Sequence, residues 1–169
     1  MADGVAEFER TVAQATDAVS GWRALEDLSR TVPGHKLFTV MTVDMAAGLA
    51  RRAYSNNASD YPVSGTKPIH RDQWFDIVHG QKRSFVANTI AEIAAVFPDY
   101  QLIASLGCGS VMNLPVVLKG ELVATINMLH AEQHYTAERV AGAEALLAVP
   151  AKLCCALVRL FDLPGKKLD

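Results

Sequence analysis

Cysteine is scarce and unpatterned in this chain of 169 residues, occurring only as Cys108, Cys154 and Cys155. An odd number at irregular spacing excludes a disulfide framework and a zinc knuckle, and free thiols in a reducing compartment are expected. A basic excess is also missing. Lys and Arg number 16 against 18 Asp and Glu, a formal charge of −2. With no Lys/Arg stripe, nucleic acid and anionic membranes are excluded as partners on electrostatic grounds. The N-terminus, MADGVAEFER, is acidic and has no apolar core of the kind a secretory signal carries. The apolar run from Ala143 to Leu160 is interrupted by Glu144, Pro150, Lys152 and Arg159, so it makes a poor membrane span and the protein is expected to be cytoplasmic. His130 and His134 lie four apart but straddle a strand end and a loop, with no carboxylate at matching spacing, so no metal is expected. Repeats and low-complexity segments are absent as well.

What is present is apolar material. Half the residues are hydrophobic and a fifth charged, which suits one folded domain with a substantial core. The most informative stretch is Leu106 to His130. Two apolar runs, Val111 to Leu118 and Leu122 to Leu129, flank Lys119-Gly120 and read as a β-hairpin. Its polar content is unusual. Asn113 and Asn127 interrupt the runs, and the glycines of Gly107-Cys108-Gly109-Ser110 allow a backbone path that side chains would block. A buried amide needs a partner, be it ligand, water or backbone. A two-residue turn sets Asn113 opposite Ile126 and turns the two amides to opposite faces, whereas an odd-length turn brings them together.

The rest of the chain supplies helices, strands and one long loop. Val5, Phe8, Val12, Ala15, Val19, Trp22, Leu25 and Leu28 recur at steps of three and four, predicting one long helix whose first part, residues 1–20, is a candidate dimer seam. Thr31 to Gly34 ends it. Strands are expected over Leu37 to Val43 and Leu49 to Ser55, with Arg51 and Arg52 on opposite faces so that one can meet a polar lining. Ser55 to Pro68 is a long polar loop. A short helix follows over Asp72 to His79, with His70 at its start. Next come a strand at Ser84 to Ala87 and a helix over Ile90 to Val96 capped by Thr89. Gln101 to Leu106 reads as a linker. The last helix begins after Thr136, runs to about Phe161 and should kink at Pro150. The main domain is thus residues 21–161, with 162–169 a frayed tail.

This order resembles the GAF domain family over roughly Trp22 to Leu160. The local strings that carry the resemblance are Arg52-Ala53-Tyr54-Ser55, Tyr61-Pro62-Val63 with Gly65 and Lys67-Pro68, Leu114-Pro115-Val116, Gly120-Glu121-Leu122 and Ile126-Asn127-Met128-Leu129. The resemblance implies an α+β fold. A central antiparallel sheet would carry the N- and C-terminal helices on one face, with short helices and loops enclosing a small-molecule pocket on the other. The Asn-Lys, Phe, Asp-Glu signature of cyclic-nucleotide-binding members is not found here. Cys108 is followed by Gly109 and not by the histidine common in bilin-bearing members.

The expected function is a small-molecule-binding sensor with no output domain in the chain, self-associating through its terminal helices and passing its signal to a separate protein. The ligand or cofactor is not identified by the residues. The candidate lining is Tyr54, Ser55, Tyr61, Lys67, Trp74, Asp99, Cys108, Ser110, Asn113 and Asn127. Tyr61 and Trp74 offer polar handles beside the long loop, while Ser55, Lys67, Asp99 and Ser110 sit at element ends where polar groups converge. The alternative is a thiol-dependent reductase of a small oxidised substrate, similar to free methionine sulfoxide reductases, with Cys108 as the only candidate catalytic residue near the pocket. Cys154 and Cys155 read as core.

Overall fold

The computed structural model describes residues 2–63 and 66–161, so the tail expected at 162–169 lies outside the described residues. Six antiparallel strands make one sheet in the order β3-β2-β1-β6-β5-β4. They are β1 (Leu37–Asp44), β2 (Leu49–Ser55), β3 (Thr66–Pro68), β4 (Phe85–Ala87), β5 (Ser110–Leu118) and β6 (Glu121–His130). The hairpin read from Val111 to Leu129 is β5 and β6, and it lies inside the sheet with β1 on one side and β4 on the other. Such a position explains why both its runs are apolar on both faces.

Each face packs a separate core. Phe38, Val40, Met112, Leu114, Ile126 and Met128 meet Phe8, Trp22, Leu25, Ala143, Leu147 and Ala151 from the terminal helices. Leu37, Val111, Leu122 and Leu129, with Phe85 of β4, meet Tyr61, Val78, Ile93 and Ile103 from the loops and short helices. The α+β arrangement expected from the sequence is the one observed.

The single N-terminal helix expected through residue 28 is instead two, α1 (Ala2–Ala13) and α2 (Ala18–Ser29). Asp17 is the cause. Its carboxylate accepts from the backbone N–H of Ser20 at 2.7 Å and from the Ser20 hydroxyl at 2.9 Å, capping α2 and ending the run before it. An added Cβ on Gly4 would lie 3.5 Å from Leu28, so α1 folds back along α2. The α1 part of the stripe expected to form a dimer seam therefore turns inward, while Val19 on α2 stays exposed. Phe8 is buried, and Val5 and Val12 pack against the same core.

Smaller differences bear on the cavity side. The linker expected after residue 100 forms helix α5 (Tyr100–Ser105), whose buried Ile103 pins it to the core. The polar loop ends in β3, which pairs with Leu49, Ala50 and Arg51 as an edge strand, where Pro68 is tolerated. Helix α3 (Gln73–Phe75) starts at Asp72, whose carboxylate accepts from the Phe75 N–H at 2.9 Å, and continues into a π-helical turn over Asp76–Gly80. Helix α4 (Ile90–Ala94) carries the expected Thr89 cap, completed by Glu92. Helix α6 (Ala137–Phe161) continues through Pro150. By length and composition α6 could cross a membrane, yet Ala143, Leu147, Ala151, Cys154 and Cys155 lie buried against the sheet side, leaving Val149 and Leu153 exposed.

Two β-bulges set which side chains face which core. In β2, Val40 is opposite Tyr54 and Met41 opposite Arg52, leaving Ala53 as an extra residue. In β6, Val117 is opposite Leu122 and Val116 opposite Ala124, leaving Val123 as the extra residue. The turn between β5 and β6 has two residues, as expected. Val123 nevertheless shifts the pairing beyond it by one, so Asn113 stands opposite Asn127 and not opposite Ile126. The expectation that a two-residue turn separates the amides is thereby corrected.

Candidate functional site

A cavity of about 340 Å³ lies between the sheet and the short helices. Its floor follows from the period of two along the strands. Leu37, Thr39, Met41 and Val43 come from β1, Leu122, Thr125, Asn127 and Leu129 from β6, Val111 and Asn113 from β5, and Ala50 and Arg52 from β2. The walls are Tyr61 from the long loop, Trp74 and Phe75 from α3, and Val96 to Asp99 from the segment joining α4 to α5. Of the ten residues singled out in the sequence, Tyr61, Trp74, Asp99, Asn113 and Asn127 are brought together here.

A row of hydrogen bonds crosses the middle of the apolar floor. The Trp74 indole N–H donates to Asn113 Oδ1 at 2.9 Å. The Asn113 amide donates to Asn127 Oδ1 at 2.7 Å, and the Asn127 amide to Thr39 Oγ1 at 3.3 Å. All three bonds run in the same direction, which fixes both amides in orientation and leaves each with an N–H and acceptor capacity still to use. Fixed amides set into an apolar wall are the usual means by which such a cavity orients a polar ligand.

Arg52, Tyr61 and Asp99 form a second polar group. The guanidinium carbon of Arg52 lies 4.9 Å from the centre of the Tyr61 ring, a cation–π arrangement. Nη1 donates to the Pro62 carbonyl at 3.1 Å. Nε is closed off from solvent and, among the described residues, has no acceptor. The Tyr61 hydroxyl donates to Asp99 Oδ2 at 2.8 Å. Burial, reinforced by the neighbouring carboxylate, holds the Tyr61 phenol protonated well above its ordinary range.

The other candidates lie elsewhere. The Ala53 bulge turns Tyr54 away from the cavity into the helix-side core, where its hydroxyl donates to Glu26 at 2.6 Å. Ser55 accepts from the Asn57 N–H and shapes a turn. Ser110 is fully buried and donates to the Ala131 carbonyl at 2.7 Å. Cys108 is buried among the loop-side core residues but is not part of the cavity wall. Burial pushes its thiol up, with Lys36 opposing, which works against a thiolate. Burial also raises Cys154 and Cys155, each to about 12. The Lys67 side chain lies outside the described residues. The glycines flanking Cys108 serve the backbone: Gly107 has φ +69, and a Cβ on Gly109 would clash with Glu132.

Sequence reasoning missed Thr39, Thr125, His70 and Asp72 as lining residues and left Arg52 open. Reading Leu37, Thr39, Met41 and Val43 as one face of β1 would have found Thr39. Nothing local announces the union of Tyr61 with Asp99, 38 positions apart. Among the described residues no three His, Cys, Asp or Glu side chains are grouped to hold a metal.

No family model and no curated protein matches the sequence. Solved structures do match the fold. The GAF domain of a two-component sensor histidine kinase from Bacillus halodurans superposes with a TM-score of 0.70 at 12% identity, covering 88% of this chain and 100% of that one. The GAF domain from a phosphoenolpyruvate-protein phosphotransferase of Coxiella burnetii gives 0.67 at 14%, covering 94% and 92%. A type II free methionine-R-sulfoxide reductase from Thermoplasma acidophilum gives 0.59 at 16%, covering 91% and 95%.

Proposed function

We propose, from the premise that the chain has the GAF-domain fold, that the protein is a small-molecule-binding sensory domain whose ligand occupies the cavity between the sheet and α3. One observation carries the reading. The cavity is apolar in most of its wall, yet it holds two oriented amides with unused hydrogen-bonding capacity and a guanidinium with no carboxylate partner among the described residues. Polar groups left unsatisfied in this way destabilise the empty protein, and a ligand that completes them is favoured over water. The reading includes a cytoplasmic location, self-association through the terminal helices, where Val149 and Leu153 of α6 are exposed, and transmission of the signal to a separate chain.

The test uses mass action. A ligand that binds only the folded chain raises its melting temperature, so a metabolite library is screened by thermal shift. Each hit is then examined through the indole N–H resonances of the chain's two tryptophans. A cavity ligand shifts the Trp74 signal and leaves that of Trp22, which lies in the opposite core. Hits that move only Trp22, or no hits at all, overturn the reading.

Thiol-dependent reduction is the second reading, supported by the likeness in fold to a free methionine-R-sulfoxide reductase. Against it stand the position of Cys108 outside the cavity wall and the cost of ionising its buried thiol. Turnover of free methionine sulfoxide that is lost in Cys108→Ser would carry this reading, and an unchanged rate would exclude it.

A further inference from the structure

We propose that the ligand is a free amino acid with an apolar side chain, its carboxylate taken by Arg52 and its ammonium by Asp99. The inference rests on the ligand-binding reading above and names the class of molecule bound. Among the described residues, Arg52 is the only Lys or Arg in the cavity wall. Its Nη1 is engaged by the Pro62 carbonyl, and no carboxylate lies within 4.0 Å of its guanidinium among the described residues. A guanidinium stays charged at every accessible pH, and its planar fork matches a carboxylate better than any neutral acceptor.

The ring of Tyr61 stands between the two charges. The guanidinium lies over its face and the Asp99 carboxylate at its hydroxyl, so cation and anion sit near one another without pairing. Asp99 is exposed to the cavity and has no cationic side chain within 4.0 Å among the described residues. An α-amino acid presents the complementary pair, an anion and a cation joined through one carbon. The rest of the wall argues for the same class. Asp72 adds a second carboxylate at the rim, so a doubly charged phosphate ester would be repelled while a molecule of zero net charge is tolerated. Met41, Val43, Val111, Leu122 and Leu129 offer an apolar well to the side chain. The volume of about 340 Å³ stands at the small end of ligand cavities.

The experiment is calorimetric titration of the full chain with L-leucine, L-methionine and L-phenylalanine. Alongside each run two relatives, the acid lacking the amino group (4-methylpentanoate for leucine) and the primary amide lacking the carboxylate (L-leucinamide). At least one amino acid is expected to bind, with both of its relatives weaker by about tenfold or more. Arg52→Gln should abolish the preference over the amide, and Asp99→Asn the preference over the deaminated acid. Arg52→Lys, which keeps charge and stem but not the fork, should fall between wild type and Arg52→Gln. The comparison among ligands is made on the wild-type chain, so it stands even where a variant fails to fold. Equal binding of the acid or of the amide overturns the inference. If no amino acid binds while a neutral library compound shifts the Trp74 indole signal, the inference falls and the sensory reading stands. If nothing binds, both fall.

Discussion

Asn113 shows how one side chain can serve stability and recognition together. It accepts from the Trp74 indole and donates to Asn127, and it is almost wholly buried. Replacing it with alanine leaves an indole N–H and an amide oxygen without partners in a partly dry site. Asn113→Ala is expected to cost about 2 kcal/mol in urea unfolding, and Trp74→Phe, which deletes one donor while keeping most of the ring, about 1 kcal/mol. Because both substitutions delete the same Trp74–Asn113 bond, the double variant should lose less than the sum of the two. Strict additivity would show that this bond contributes nothing to stability. Both asparagines were legible in the sequence because amides inside apolar strands demand partners. Which partners they find is set by Trp74 and Thr39, whose approach depends on the whole sheet.

At the scale of elements, the hairpin could be read from periodicity, the sheet with its two unlike faces was implied by the family resemblance, and what escaped was the exact register. Val123 and Ala53 look like any other strand residue, and only pairing with the neighbouring strand makes them the extra ones. Tyr54 was expected in the cavity for this kind of reason, since proximity in sequence says nothing about face once a bulge intervenes. The break before α2 had a local signal in Asp17 followed by Ser20, outweighed by an apolar stripe that runs across it. The bulge makes a specific prediction. Deleting Val123 leaves Val116 opposite Ala124 and Asn113 opposite Asn127, with every remaining side chain on its present face. That deletion should cost only about 1 kcal/mol and preserve the Trp74 indole signal. Deleting Val117 from the opposite strand has no bulge to absorb it, sets apolar positions against the wrong face, and should cost about 3 kcal/mol or more by the same urea measurement. Equal losses would mean that the bulge is not simply an extra residue.

Across the whole molecule the two cores meet at β2. Arg52 enters the cavity, and on the far side of the Ala53 bulge Tyr54 holds the buried carboxylate of Glu26 on α2 at 2.6 Å. Glu26 also accepts from Arg30 at 2.6 Å and from the Asn56 amide at 3.4 Å. Burial, together with the bonded carboxylate, raises the Tyr54 phenol to about 12, so it remains a donor throughout the useful pH range. His35 completes the cluster, its Nδ1 3.1 Å from the Ser29 hydroxyl and its fully buried ring carrying an Nε2 without a hydrogen-bond partner. Glu26 and Asp27 favour the imidazolium and Arg30 opposes it, but desolvation dominates and lowers the His35 pKa below its ordinary 6.5. The sign then follows. As pH falls through about 6.5 the unfolded chain takes up a proton that the folded chain still refuses, so stability is complete above that pH and is lost below it, down to the folded pKa. The loss attributable to this residue is at most about 1.4 kcal/mol per pH unit. His79 and His130 are lowered in the same direction, again with desolvation as the leading cause, so they add to the slope. His35→Gln should therefore lessen, without abolishing, the drop in unfolding free energy between about pH 7.5 and about pH 5.5 in urea titrations. A slope as steep as that of the wild type would mean that the imidazole titrates alike in the folded and unfolded chain, and a steeper one that the fold holds it protonated, paired with Glu26 across the 3.5 Å that separates them.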